Sequence, residues 1–293
     1  MTDGYADLYA SAGDGLRLYG RDYGPRSAAS LPVVCLPGLA RTSADFHALA
    51  LHLAKDEKRP RRVLSLDYRG RGRSDYDRRW RNYDVKVELA DVLHFLAAAG
   101  IEEAVFVGTS RGGIIAMALS AARPALIRGA VLNDIGPVIE GKGLVRIRNY
   151  LGKLPQPVGD AQASEILKHF FGAQFPALSD EDWRSFAAAT WKQADGRLVL
   201  DYDPRLMKTL EAIDFESPLP KLWPLFAGLK GVPVLALRGS NSDLLSAATL
   251  EAMADAHPRF EAVTVAGQGH APLLRGREIL QQIKRFVARI EEA

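Results

Sequence analysis

One stretch limits the choice of fold more than any other: Val105-Phe106-Val107-Gly108-Thr109-Ser110-Arg111-Gly112-Gly113, a short apolar run that passes through a G-x-S-x-G turn straight into a helix-forming segment. A serine hydroxyl is a weak nucleophile at neutral pH. To act as one it must stand clear of the backbone, where a histidine can reach its oxygen and N–H groups can receive developing negative charge. A tight strand-to-helix turn achieves this only if the positions two before and two after the serine carry no Cβ, and here they are Gly108 and Gly112. Gly113 relieves crowding where the helix meets the sheet. Ser110 is therefore the candidate nucleophile. In a chain with 26 glycines the five-residue match is weak alone. Its context strengthens it, because residues 104–107 read as a buried strand and residues 114–122 as an apolar helix that stops before Pro124.

The rest of the chain alternates between strand and helix. Residues 5–23 read as an antiparallel hairpin joined through Gly13-Asp14-Gly15. Further strands are expected at 32–36, 63–67, 128–134, 232–237 and 261–265. A helix carrying Phe46, Leu49, Leu51 and Leu53 is expected behind a Ser43 cap, one over 85–99 behind Asp84 with Gly100 as its stop, and others over 246–256 and 278–290. Between about 137 and 230 the rhythm changes to helical pieces rich in aromatics and interrupted by seven prolines, with no strong parallel strand. The pattern predicts an α/β fold with a mostly parallel sheet flanked by helices, residues 1–136 and 231–293 forming the core and 137–230 an inserted helical cap. Most cap aromatics are expected in the cap's own core, with two or three facing a pocket.

Composition removes several function classes. With 47% hydrophobic and 25% charged residues, the 293-residue chain has neither the bias of disorder nor that of a fibrous repeat. Its net charge of +3 includes the basic runs Lys58-Arg59-Pro60-Arg61-Arg62 and 69–81, but the second is interleaved with Asp75, Asp77 and Asp84 and neither accompanies a nucleic-acid motif. No nucleic-acid partner is expected. The single cysteine, Cys35, lies in a predicted strand; it precludes an intramolecular disulfide and a Cys-based zinc site. The loop Asp67-Tyr68-Arg69-Gly70-Arg71-Gly72-Arg73-Ser74-Asp75 lacks both the G-x-G-x-x-G spacing and the immediate helix of a dinucleotide site. No cofactor or metal is expected. Residues 1–30 show no basic start followed by an apolar run, and no stretch reaches the roughly 18 apolar residues of a membrane span, so a cytoplasmic protein with no membrane partner is expected. The sequence sets no oligomeric state.

Six histidines are available as a base, and five of them fall within or beside predicted helices. His270 instead lies in Gly267-Gln268-Gly269-His270-Ala271-Pro272, directly after the last strand, at the carboxyl edge of the sheet where Ser110 must also sit. A base of this kind needs a carboxylate to hold its tautomer. Asp243 and Asp134 both follow strands at that edge, and the order Ser–Asp–His, with the acid just before the histidine's strand, favours Asp243. The backbone N–H groups of Leu39 and Arg111 are the candidate oxyanion donors, the first brought close by Gly38 and the second at a helix start. The Arg111 side chain is expected in a helix-surface salt bridge.

Taken together, these residues give a chain that resembles the α/β-hydrolase superfamily over essentially its whole length. The resemblance rests on Pro37-Gly38-Leu39, the 67–75 loop, the Ser110 elbow, a cap after Asn133-Asp134, then Asp243 and His270. It implies an eight-stranded sheet and a serine esterase, lactonase or carbon–carbon hydrolase acting on a small molecule with an apolar portion. A ligand-binding receptor on the same fold is the alternative from another class. Many relatives have His-Gly where this chain has Pro37-Gly38. Haloalkane dehalogenases and epoxide hydrolases carry aspartate where it has Ser110.

Overall fold

The computed structural model describes residues 4–292. Strands β1 (Tyr5–Ser11) and β2 (Arg17–Tyr23) form the hairpin, with Gly15 at a positive φ in its turn. Then follow β3 (Val33–Leu36), α1 (His47–Ala54), β4 (Val63–Asp67), α2 (Val85–Ala98), β5 (Ala104–Thr109), α3 (Arg111–Ala122) and β6 (Ile127–Asn133). The next stretch holds α4 (Gly141–Tyr150), α5 (Asp160–Phe171), α6 (Asp180–Ala188), β7 (Trp191–Ala194), β8 (Arg197–Leu200), α7 (Met207–Glu211) and α8 (Trp223–Ala227). The chain closes with β9 (Val234–Gly239), α9 (Ala247–Ala256), β10 (Phe260–Val265) and α10 (Arg277–Glu292).

Eight strands make one sheet in the order β1-β2-β4-β3-β5-β6-β9-β10, and within it only β2 runs against the rest. The central strands are mostly apolar because helices cover both faces. Side-chain alternation divides them. Val33, Cys35, Val105 and Val107 face the cluster built with α1 and α10, whereas Val34, Leu36 and Phe106 face the one built with α2 and α3. Helix α10 buries Ile279, Ile283, Phe286, Val287 and Ile290, a single helical stripe. Burial pushes the Cys35 thiol well above its usual range.

Two local expectations change, and one basic side chain lies deep. Thr42, not Ser43, caps the turn before α1; the Ser43 N–H donates to Asp67 Oδ1 at 2.6 Å, and its carbonyl accepts from Ser65 Oγ at 3.0 Å. The 137–230 stretch holds, besides its helices, the antiparallel β7–β8 hairpin, with Trp191 paired to Leu200. That hairpin helps to close a separate apolar cluster including Leu167, Phe171, Phe175, Trp183 and Trp191. Finally, Arg69 of the basic run is buried, held by Asp91 and Asp77 at 2.6 Å each.

Candidate active site

Close packing forces the elbow's glycines. A Cβ on Gly108 would lie 2.5 Å from the Gly112 carbonyl, and one on Gly112 would lie 2.0 Å from Leu36 O. Between them Ser110 adopts φ 52° and ψ −115°, in the left-handed region that L residues avoid. The strain is held from both sides: Ser110 N–H donates to Asn133 O at 3.0 Å, and Ser110 O accepts from Gly113 N at 2.9 Å and Ile114 N at 3.2 Å.

His270 comes from the loop after β10, which Asn133 Nδ2 pins by donating to Pro272 O at 3.0 Å. Its Nε2 lies 2.9 Å from Ser110 Oγ and its Nδ1 lies 2.8 Å from Asp134 Oδ2. A carboxylate accepts hydrogen bonds, so Nδ1 is the donor to Asp134 and Nε2 is left to accept from the serine hydroxyl. Asp134 also has a positive φ, 56°. Its wholly buried carboxylate accepts further from Gly239 N–H at 2.9 Å and Ser242 Oγ at 2.6 Å.

Leu39 and Arg111 stand beside the serine on two different elements. A Cβ on Gly38 would sit 3.9 Å from Ser110 Cβ, which measures how closely the β3–α1 loop approaches. Neither backbone N–H, of Leu39 or of Arg111, is used in a turn or cap hydrogen bond among the described residues. Ser110 and His270 open onto a cavity of about 470 Å³ whose other walls come from the β3–α1 loop, the loop after β10 and the 137–230 stretch. Tyr150, Phe171, Phe175, Phe186 and Tyr202 of that stretch line it, more aromatics than the two or three expected. Among the described residues no three groups are placed to hold a metal ion, and no helix is long and apolar enough to cross a membrane.

A model of the alpha/beta hydrolase family matches residues 33–282. The chain belongs to this family. A solved alpha/beta hydrolase from Novosphingobium aromaticivorans is 39% identical with a TM-score of 0.88, covering 98% of this chain and 99% of its own. The 3-hydroxybutyrate-oligomer hydrolase of Cupriavidus necator is 33% identical over 252 residues, 82% of each chain. The 2-(acetamidomethylene)succinate hydrolase of Mesorhizobium japonicum is 26% identical over 80% of this chain and 79% of its own.

In this alpha/beta hydrolase the carboxylate against the histidine is Asp134, which corrects the preference for Asp243. The Asp243 carboxylate is turned away to Arg146 of α4, accepting from Nε at 2.5 Å and Nη2 at 2.9 Å. Arg146 holds it below the usual carboxylate range, against the opposing effect of burial. Arg111 is corrected too: its guanidinium turns inward to the wholly buried Glu88 and to the Tyr83 carbonyl, not to the surface. Sequence reasoning missed Arg41, which lines the cavity, pairs with Asp45, donates to Thr190 Oγ1 at 2.8 Å and lies over the Phe186 ring. The i,i+4 spacing of Arg41 and Asp45 was the available signal.

Proposed function

We propose that this alpha/beta hydrolase cleaves carboxylic esters through an acyl-enzyme on Ser110, with His270 as general base and Asp134 as the carboxylate that orients it. The unbroken hydrogen-bonded line from Ser110 Oγ through His270 to Asp134, at the mouth of the cavity, carries the reading. Ser110 Oγ attacks the ester carbonyl while its proton passes to His270 Nε2. The tetrahedral oxyanion accepts hydrogen bonds from the Leu39 and Arg111 N–H groups. Collapse breaks the ester bond, and His270 returns the proton to the departing alcohol. Water, deprotonated by the same Nε2, then releases the acid and restores the serine.

Residues 137–230 serve as the cap over the acyl group. The aromatic walls suit a short apolar chain, and Arg41 supplies N–H groups for an additional oxygen on it. Short hydroxyacyl esters fit both features, in keeping with the name of the Cupriavidus relative.

Intact-protein mass after fluorophosphonate treatment, paired with p-nitrophenyl esters of increasing acyl length, tests the reading. One adduct on Ser110 and turnover that peaks at short chains are expected. Ser110→Ala should lower kcat by about four to six orders of magnitude with the melting temperature unchanged. Turnover retained by that variant, or hydrolysis of a vinylogous diketone with none of any ester, would overturn the ester reading.

A further inference from the structure

Leu39 and Arg111 lie on different elements, so the spacing between their N–H groups must be maintained by something that spans both. Three side chains do span them. Arg71 Nε donates to the Leu39 carbonyl at 2.7 Å, and Arg71 Nη1 donates to Glu88 Oε1 at 2.6 Å. The other oxygen of Glu88 accepts from Arg111 Nε at 2.5 Å, and Arg111 Nη2 donates to the Tyr83 carbonyl at 2.9 Å. The chain therefore begins on the backbone of one candidate donor residue and ends on the side chain of the other.

The bridge is almost dry. Arg71 and Glu88 are wholly buried and Arg111 is 15% exposed. The Tyr68 and Tyr83 rings lie against the Arg71 guanidinium, each centroid 5.5 Å away. Burying such a group is a poor source of stability, since the desolvation of several charges offsets most of their attraction. Among the described residues Arg71 Nη2 and the Tyr68 hydroxyl even lack hydrogen-bond partners.

We infer that Arg71, Glu88 and Arg111 are positioning residues: their buried bridge holds the Leu39 and Arg111 N–H groups at the separation a tetrahedral oxyanion requires. The inference rests on the proposed ester hydrolysis. None of the three side chains touches the substrate. Their effect falls on the transition state and not on substrate binding.

Arg71→Met and Arg111→Met test this, because each leaves Glu88 paired with the remaining arginine and each keeps both backbone donors. Competent sites are counted by fluorophosphonate labelling, so that misfolded protein does not enter the rates. Arg71→Met should lower kcat per labelled site by about 10- to 100-fold and Arg111→Met by about tenfold, with KM unchanged. A boronic acid, which forms a negatively charged tetrahedral adduct on the serine, should bind more weakly by the same factors. Inhibition by the alcohol product should hold within about twofold, and Arg111→Lys should recover part of the loss. Unchanged turnover per labelled site, or equal weakening of the boronate and the alcohol, would overturn the inference. Should Arg71→Met fail to fold, Arg111→Met at the partly exposed helix start decides alone. Wild-type protein that neither labels nor turns over esters would instead overturn the proposed hydrolysis itself.

Discussion

Asp134 directly follows β6 and Asp243 lies in the loop after β9; since β6 and β9 are paired neighbours, both carboxylates start from the same edge of the sheet. Their surroundings differ. Asp134 is enclosed by three donors from three places, His270 Nδ1, Gly239 N–H and Ser242 Oγ. Asp243 is 21% exposed and faces α4, whose Arg146 takes both of its oxygens. Helix α4 is also in close contact with the Asp243 backbone, for a Cβ on Gly143 would fall 2.7 Å from Asp243 O. The contrast shows that a carboxylate's place along the chain does not settle its task. What settles it is the set of donors that reach it in the folded state. On this view Asp134 belongs to the chemistry and Asp243 joins the 137–230 stretch to the sheet.

Exchanging the two carboxylates in turn would break the comparison most directly. Asp134→Asn should lower kcat by about 10³- to 10⁴-fold, since the amide cannot hold His270 in the tautomer that accepts the serine proton. Asp243→Asn should cost less than about tenfold. Steady-state kinetics on one short ester measure both, and equal losses would undo the assignment.

A third carboxylate at this edge sharpens the contrast. Asp67, at the end of β4, is buried and among the described residues pairs with no cation; burial pushes its carboxyl up to about 6, although the Ser43 and Arg73 N–H groups oppose this. The folded chain therefore keeps this proton to higher pH than the unfolded chain, and the contribution of Asp67 to stability falls as pH rises from about 4 to about 6. Asp67→Asn lacks that dependence. Urea unfolding at pH 4, 5, 6 and 7 should show the variant gaining on the wild type by about 1 to 3 kcal/mol across the range. A constant difference would show that Asp67 titrates alike in both states.

The smallest effect is expected at Arg146 and Asp243. A double-mutant cycle with Arg146→Met and Asp243→Asn should give a coupling of about 1 kcal/mol, the order expected for a partly exposed pair. Additive effects would mean that the pair does not hold α4 to the sheet.

Much of this was open to sequence reasoning. The elbow glycines, the buried strands and the loop placing His270 at the sheet edge are written in short runs, because strand and helix periodicity and the space around a backbone bend depend on residues close in sequence. The Thr42 cap shows the limit of even that reasoning, since Ser43 is equally able to cap and is instead drawn to Asp67 and Ser65. The β7–β8 hairpin escaped because two four-residue strands carry too little periodicity to stand out among helical segments.

By itself, then, the sequence determined a mostly parallel sheet, a strained serine at its carboxyl edge and a histidine within reach. Only the tertiary structure decided which aspartate the histidine meets, which way Arg111 turns, and that Arg71 and Glu88 stand behind the Leu39 and Arg111 backbone. Those outcomes depend on donors brought together across intervals as long as the 136 residues from Asp134 to His270. A buried charge takes whichever partners the packing leaves beside it, and no local pattern encodes that choice.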